Sequence, residues 1–231
     1  GSGEQTVATT RLGRIYNKNH CRYSGAIHEQ ITPISSGTAV YHDLSVLLEH
    51  DGYLSPELFQ KKCLRNIELM QESLRKEEDP YLYYQLGKAY SSVNRKKEAV
   101  EAFQKGLSFD IDPQLYYVQS MVEAYGYCLL DLKEYEAALS FENIYDAFAV
   151  NADFVFLMGL IYMNNAMFDD AIAQFQKATE FATCTVDGAN SYRAFYNIGV
   201  IYECTGRTKQ ALAAYEKCGN YAPALSRKEV L

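Results

Sequence analysis

The 231-residue sequence has no excess of basic residues, and this absence limits the partners that the chain can bind. Lysine and arginine together number 22 against 29 aspartates and glutamates, so the formal net charge is −7. Residues 1–50 carry four charges of each sign, and the acidic excess therefore lies in residues 51–231. Because polyanions repel an acidic surface, the sequence predicts no binding to nucleic acid or to an anionic membrane surface.

Paired cysteine motifs, long apolar segments and a secretory signal are also missing. The six cysteines are scattered and no two of them form a CxxC pair, which argues against a zinc ribbon or a redox motif. We interpret them as small apolar filler in a reduced, cytoplasmic protein. No apolar run is long enough to span a bilayer and no signal peptide is recognisable, so the sequence predicts no membrane span.

What the sequence does contain is one spacing that recurs after residue 80. An apolar or aromatic residue is followed by an apolar residue three positions on, then Gly, Tyr three further, Ala nine further and an aromatic four further. Clear copies run from Tyr83 to Phe103, from Val155 to Phe175 and from Phe195 to Tyr215, with a blurred copy from Val122 to Ala138. Their glycines are 39, 33 and 40 residues apart, a period typical of stacked supersecondary units. These glycines are Gly87, Gly126, Gly159 and Gly199.

Each copy of this frame predicts a helical hairpin. Intervals of three and four residues place the apolar side chains on one helix face, and Gly and Ala lie where two helices approach closely. One hairpin cannot bury its own apolar face, so the copies must stack. The pattern resembles the tetratricopeptide repeat over residues 80–223. The resemblance implies a mainly α fold, an α-α superhelix of about four tetratricopeptide hairpins, with a small β remnant at the N-terminus.

The first helix of each predicted hairpin would line a groove. Groove positions are those that the packing frame does not use, and they are aromatic and mildly apolar with few charges, as in many protein-binding surfaces. A protein or peptide partner is therefore predicted, although the same side chains could instead pack on one another or on the N-terminal strands. A cluster of Lys, Arg and Asn for clamping a peptide carboxylate is not visible. The predicted groove residues are Tyr84, Lys88, Glu123, Tyr127, Phe156, Leu160, Met163, Tyr196, Val200 and Glu203.

The residues before the repeats have a different character. The stretch from Arg14 to His28 predicts two strands joined by a polar turn at Asn17–Asn19, and Thr38–Leu48 predicts a third strand. A helix is then predicted with Ser55 as its N-cap and Pro56 in its first turn. After Pro223 too few residues remain for a full capping helix. The predicted divisions are a tail at 1–10 whose first three residues look like a cloning remnant, a β segment at 11–50, a linker or capping helix at 51–79 and the repeat array at 80–231.

A second resemblance concerns this N-terminal segment. Arg14-Ile15-Tyr16, the run from Tyr23 to Gln30 and His50-Asp51-Gly52-Tyr53 are similar to the end of the catalytic domain in a group of bacterial family 2 glycosyltransferases. The resemblance implies a parent enzyme whose upstream domain binds a nucleotide sugar and a divalent metal. This sequence lacks the strand with the metal-binding Asp-x-Asp, the acidic catalytic base and the nucleotide pocket. The chain itself is therefore predicted to be inactive, with no catalytic residue and no bound cofactor.

Two short motifs could be read as metal sites. By the same resemblance His28 is the candidate ligand in the intact parent, because a His nitrogen beside carboxylate oxygens suits Mn-type ions. The alternative is a partly buried, hydrogen-bonded His on a strand. Asp110-Ile111-Asp112 falls between two repeats and directly before Pro113, so we interpret it as a turn with helix-capping carboxylates.

Three hypotheses of function follow from these patterns. The leading one is a non-catalytic interaction and positioning module from the C-terminal region of a family 2 glycosyltransferase, with the upstream transferase domain as one partner. The alternative is a free-standing tetratricopeptide adaptor for a peptide or protein. A third is a metal-binding module that uses the histidines of residues 20–50. An orphan strand edge in the β remnant further predicts a homodimer through the N-terminal strands.

Overall fold

A computed structural model describes residues 16–24, 30–36 and 55–231, and the chain divides into two compact units, 1–77 and 78–231. In the first unit, β1 (Cys21–Ser24) pairs antiparallel with β2 (Gln30–Pro33). The backbone N–H groups of His20 and Cys21 donate to the carbonyl of Asn17 at 3.0 and 2.9 Å, which confirms the predicted turn. The sequence did not predict β2, and the predicted strand at 38–48 lies outside the described residues.

The helix of the first unit begins where its capping residues indicated. α1 spans Pro56–Lys76, and the Ser55 hydroxyl accepts from the backbone N–H of Leu58 at 3.5 Å. Pro56 lies in the first turn, where a missing N–H costs nothing, and Glu57 lies at the positive end of the helix. The predicted start of this helix is therefore confirmed.

The second unit is made of successive helical hairpins, which confirms the mainly α fold. The first hairpin is α2 (Pro80–Ser92) with α3 (Lys96–Leu107). In the second, α4 (Tyr116–Asp131) is followed by α5 (Tyr135–Ala138), a 3₁₀ segment (Leu139–Ile144) and α6 (Tyr145–Phe148). The third is α7 (Ala152–Asn164) with α8 (Phe168–Ala178), and the fourth is α9 (Tyr192–Cys204) with α10 (Thr208–Glu216), before α11 (Ala222–Lys228).

The glycine of each clear copy lies under the aromatic ring that follows it by 16 residues. A Cβ atom on Gly159 would come within 2.6 Å of Cε1 of Phe175, which is far inside van der Waals contact. Phe103 covers Gly87 and Tyr215 covers Gly199 in the same way. All three rings are completely buried. The spacing of the sequence frame therefore corresponds to the contact that holds the two helices of each hairpin together.

The second hairpin departs from this rule by one residue. Phe141 follows Gly126 by 15 positions, and a Cβ on Gly126 would lie 3.1 Å from its Cε1 atom. In a 3₁₀ helix, side chains three positions apart point in the same direction, whereas in an α-helix a residue is aligned more nearly with the one four positions on. The 3₁₀ segment that starts after Ala138 therefore brings Phe141, only three residues on, into the ring position. This substitution explains why the second copy looks blurred in the sequence.

The C-terminal residues form more structure than the sequence indicated. The expectation that too few residues remain for a capping helix was partly wrong, because α11 forms over seven residues. Tyr221 packs on Tyr192 and Tyr196 of α9, with ring centroids 4.7 and 5.4 Å apart. Ala224 is fully buried. Tilted and edge-to-face contacts between aromatic rings thus anchor a segment that is too short to be a stable helix alone.

Candidate functional site

The first helices of the hairpins supply the predicted groove residues, but these residues differ in exposure. α4 contacts α2 on one side and α7 on the other, and α9 packs on α8. Tyr84 and Phe156 are only 6% and 4% exposed, so they belong to the core rather than to an open groove. Lys88 is exposed, and its ammonium lies 4.9 Å from the centre of the Tyr84 ring.

The apolar groove candidates on α7 and α9 are neither buried nor fully exposed. They pack at the edge of two core clusters and keep part of their surface open. Side chains of this kind can contact a partner without losing their place in the fold. The two hairpins thus offer a partly apolar surface on consecutive first helices. These residues are Leu160, Met163, Tyr196 and Val200.

Glu123 of α4 lies beside a capping residue of α7. Asn151 is the N-cap of α7, and its side-chain oxygen accepts from the backbone N–H of Phe154 at 2.8 Å. That contact fixes the amide, whose nitrogen then donates to Oε1 of Glu123 at 3.2 Å and to Gln119 at 3.4 Å. Burial, together with the nearby carboxylate of Asp153, raises the pKa of Glu123 to about 7. Helix α4 therefore carries a carboxyl group that titrates near neutral pH.

Tyr127 follows Glu123 by one helical turn, and its hydroxyl is an orphan. The oxygen is buried and has no hydrogen-bond partner within residues 16–24, 30–36 and 55–231. Burial is the main cause that raises the pKa of Tyr127, with Glu123 and Asp153 adding to the effect and Arg193 opposing it. The phenol therefore keeps its proton, and a donor stands unused close to two acidic residues. A buried polar atom without a partner is uncommon in folded proteins.

Asp153 was not among the predicted site residues, yet among the described residues it is the one charged side chain that is buried. It is 4% exposed, and its two oxygens accept from the backbone N–H groups of Thr185 and Val186 at 2.8 and 2.6 Å. It thereby ties the long turn between α8 and α9 to the start of α7. A sequence signal existed, because Asp153 and Arg193 both stand six residues before the glycine of their copies, on the helix face that Glu123 and Tyr127 share in theirs.

Glu203, the last predicted groove residue, already has partners within the chain. Its carboxylate accepts from the Tyr215 hydroxyl at 2.7 Å and from Nε of Arg227 at 3.0 Å. A second guanidinium nitrogen of Arg227 contacts the other carboxylate oxygen, so the pair is bidentate. The C-terminal helix α11 therefore occupies the part of the surface that Glu203 was predicted to offer to a partner.

No group of histidine, cysteine and carboxylate side chains suited to a metal ion occurs in the part of the chain that the structure describes. His28 lies outside the described residues, so its predicted role stays a prediction. Asp112 accepts from the backbone N–H of Gln114 at 2.8 Å, which agrees with a turn at Asp110-Ile111-Asp112. The helix-capping role predicted for these carboxylates was wrong, because Leu115 is the N-cap of α4 and no side chain caps that helix. All six cysteines carry free thiols. None of the described helices is long and apolar enough to cross a membrane.

Comparisons with known proteins agree with the fold. The yrrB protein, described as a tetratricopeptide protein with an unusual peptide-binding site, shares 23% identity and a TM-score of 0.60, over 73% of this chain and 84% of its own. MamA of Desulfovibrio magneticus RS-1, from residue 41, shares 22% identity with a TM-score of 0.57, over 75% of this chain and 94% of its own. At these identities the likeness concerns the fold alone. No curated protein sequence matches the chain.

A family model identifies the repeats themselves. The model of the tetratricopeptide repeat matches residues 80–110, 152–182 and 192–224, which contain the three clear copies of the frame. The blurred copy, with its 3₁₀ segment, falls between the matched segments. The resemblance of the N-terminal residues to family 2 glycosyltransferases is not matched by this model and stays a prediction. The geometry and the family match together show that the chain contains tetratricopeptide repeats.

Proposed function

We propose that residues 78–231 form a non-catalytic module that binds an extended segment of a partner protein. The observation that carries the proposal is the surface of α4, α7 and α9, where partly exposed apolar side chains lie on first helices together with Glu123 and the unpartnered hydroxyl of Tyr127. Apolar contacts would supply affinity, and the polar groups would fix the register of the bound segment.

The relatives support this proposal without deciding the ligand. The yrrB protein is described as having a peptide-binding site, and its repeats share the fold of this chain. The acidic charge of the repeat region favours a partner that is neutral or basic. Tyr84 of α2 and Phe156 of α7 have little surface left for a ligand. The proposal therefore rests on the partly exposed side chains of α7 and α9 and on Glu123 and Tyr127 of α4.

A selection of displayed random 12-residue peptides against the full chain tests the proposal. Met163→Lys and Val200→Lys each place a charge on the apolar surface. Each should weaken the binding of the selected peptides by about 10-fold or more, because the lysine must be desolvated when a peptide binds. Leu64→Lys is the matched control, since Leu64 is an exposed apolar residue of α1. Failure to select any peptide, or equal losses in the control, would contradict the proposal.

A second candidate function keeps the glycosyltransferase resemblance. The strands β1 and β2 pair antiparallel, in or directly beside the segment where that resemblance implies strands. In this proposal the chain positions an acceptor, a partner protein or a second subunit beside an upstream transferase domain that uses a nucleotide sugar and a divalent metal. Sequencing of the coding region upstream of Glu4 decides this proposal. If the proposal is right, that region encodes alternating strands and helices with an Asp-x-Asp after a strand. Mn²⁺ titration of the longer protein and its His28→Ala variant tests the metal role.

The cytoplasmic location and the homodimer through the N-terminal strands are further proposals. Sedimentation at high protein concentration tests the dimer, and a monomeric mass would remove it. Expression of a fluorescent fusion in the source cell tests the location. Neither result bears on the peptide-binding proposal, which concerns residues 78–231 alone.

A further inference from the structure

We propose that the binding surface contains a pocket for one basic side chain, in which Glu123 pairs with a lysine or arginine of the bound peptide. This inference rests on the proposed function and specifies the chemistry of the partner. The geometry that carries it is a half-buried carboxyl on α4 with one neutral partner, next to a buried hydroxyl with none.

The first step is the state of Glu123. Among the described residues its hydrogen bond comes from the neutral amide of Asn151, and the amide is held in place by its capping contact with Phe154. No lysine or arginine of the described ranges forms an ion pair with this carboxyl. A carboxylate taken partly out of water and left without a cation is unfavourable. The elevated pKa of Glu123 agrees with this geometry.

The second step is the contrast with Glu203 in the same array. Glu203 also stands on a first helix, but Arg227 of α11 reaches it with two guanidinium nitrogens and Tyr215 adds a phenol hydrogen bond. At Glu203 the chain therefore supplies its own cation, from a segment that lies against the first helix. At Glu123 the carboxyl and a nearby phenol are present, but no cation from residues 16–24, 30–36 or 55–231 pairs with the carboxyl. A peptide that lies along α4 and α7 would supply the cation, as α11 does for Glu203.

The third step is the sign of the ligand. Asp153 lies near Glu123 and adds a second negative charge. Among the described residues, the basic side chain that opposes the rise in the pKa of Tyr127 is the exposed Arg193. Two carboxyl groups against one guanidinium disfavour an acidic ligand. A guanidinium or ammonium would instead convert a costly buried carboxylate into a charge-assisted hydrogen-bonded pair. The partner is therefore a peptide with a basic residue flanked by apolar residues that meet the surface of α7 and α9.

The test uses the peptides selected against the full chain at pH 8. We expect lysine or arginine to be enriched at one position. A synthetic 12-residue peptide with arginine there is compared with the same peptide carrying citrulline, which keeps the shape and removes the charge. The citrulline peptide should bind wild type at least about 10-fold more weakly. Glu123→Gln should weaken the arginine peptide by a similar factor and leave the citrulline peptide unchanged.

The control separates the pocket from the overall charge of the chain. Glu101→Gln removes the same charge from an exposed position on α3 and should leave both affinities unchanged. Equal losses in the two variants, equal binding of the two peptides to wild type, or no basic enrichment would each overturn the inference. If Glu123→Gln does not fold, the comparison of the two peptides on wild type still decides.

The outcomes also distinguish this inference from the proposed function. Peptides that bind without a basic preference, yet are weakened by Met163→Lys and Val200→Lys, leave the binding module standing and remove the cation pocket. An absence of any binding peptide removes both. Enrichment of acidic residues would show the opposite charge preference and overturn the pocket alone.

Discussion

At the scale of single residues, the half-buried carboxyl of Glu123 links the stability of the fold to pH. Burial is the largest cause that raises the pKa of Glu123. Between pH 4.5 and about pH 7, the folded protein therefore keeps a proton on this carboxyl that the unfolded chain has already released. A carboxyl with a raised pKa makes the folded state most stable below the unfolded value, near 4.5, and progressively less stable as the pH rises through about 7. This sign is opposite to that of a salt-bridged carboxylate.

Replacement of Glu123 by glutamine should remove this pH dependence. Glutamine cannot ionise. Between pH 5 and pH 8, the free energy of unfolding should therefore fall less in Glu123→Gln than in wild type, and the two falls should differ by at most about 3 kcal/mol. Urea unfolding at a series of pH values measures the difference, which cancels the other titrating groups. Glu101→Gln should follow wild type. A constant difference between Glu123→Gln and wild type would contradict the assignment.

The turns inside the hairpins share one backbone conformation that their residue types do not reveal. The residue seven positions after each frame glycine has a positive φ, between 58° and 73°. Only the fourth of these turn residues is glycine, although the left-handed region costs other residues roughly 1 kcal/mol or more. The turn residues are Asn94, Lys133, Ala166 and Gly206.

Exchange of alanine and glycine at two of these turns tests the cost. Ala166→Gly should stabilise the protein by about 0.5–1 kcal/mol, because the relief of the left-handed backbone exceeds the added freedom of the unfolded chain. Gly206→Ala should destabilise by a similar amount, although a Cβ there would meet nothing within 4 Å. Thermal unfolding of both variants measures the shifts. A stabilised Gly206→Ala would show that the backbone at this turn relaxes.

Single residues also show how far the sequence could predict the site. Glu123 and Tyr127 were predicted as candidates because they share a helix face that the packing frame leaves open. Asp153 was missed, since its role depends on the amides of Thr185 and Val186, more than 30 positions away. Helical spacing reveals which side chains share a face, but it carries no information on which distant backbone groups they meet.

At the scale of elements, the repeat frame predicted hairpins well wherever its spacing was intact. The three clear copies gave helix pairs, and the 16-residue interval from glycine to ring became a physical contact. The second copy could not be predicted in detail, because Phe141 stands one position early and the chain compensates with a 3₁₀ segment. Tertiary packing decided the conformation there, since the ring position had to be filled. β2 was missed for a related reason, because four residues carry little periodic signal.

The turn between α8 and α9 is an element whose order should depend on one carboxylate. Asp153→Ala leaves the amides of Thr185 and Val186 without their charged acceptor and should cost about 3 kcal/mol of unfolding free energy. Hydrogen exchange should accelerate at these two amides before it does in α7. Asp187→Ala is the control, because that carboxylate is exposed and, within the described residues, accepts a hydrogen bond from the Tyr192 hydroxyl rather than from a backbone amide. Equal effects of the two substitutions would contradict the role of Asp153.

At the scale of the whole molecule, residues 78–231 form a linear array of hairpins in which each hairpin contacts its neighbours. Stability in such an array is a sum of repeat and interface terms, so the position of a defect decides how far unfolding spreads. In residues 78–231 the fourth hairpin is followed by α11, which is held by the rings of Tyr192 and Tyr196 and by the contact of Arg227 with Glu203. The last hairpin therefore has one full neighbour and one short one, whereas the third has a hairpin on either side.

Equivalent glycine substitutions in the third and fourth hairpins should therefore differ in their reach. A methyl group on Gly159 or Gly199 collides with the ring of Phe175 or Tyr215, and each change should cost on the order of 1–3 kcal/mol. In Gly199→Ala, hydrogen exchange should accelerate in α9 to α11 while α2 and α3 stay protected. In Gly159→Ala it should accelerate on both sides of α7.

Removal of the ring tests whether the collision is the cause. Phe175→Leu destabilises alone by creating a cavity, but in combination with Gly159→Ala the shorter side chain leaves room for the new methyl group. The double variant should therefore be more stable than the sum of the two single changes indicates, by about 1 kcal/mol or more. Additive losses would show that the glycine is needed for a reason other than its distance from the ring. Loss of protection along the whole array in Gly199→Ala would show that the hairpins unfold as one unit.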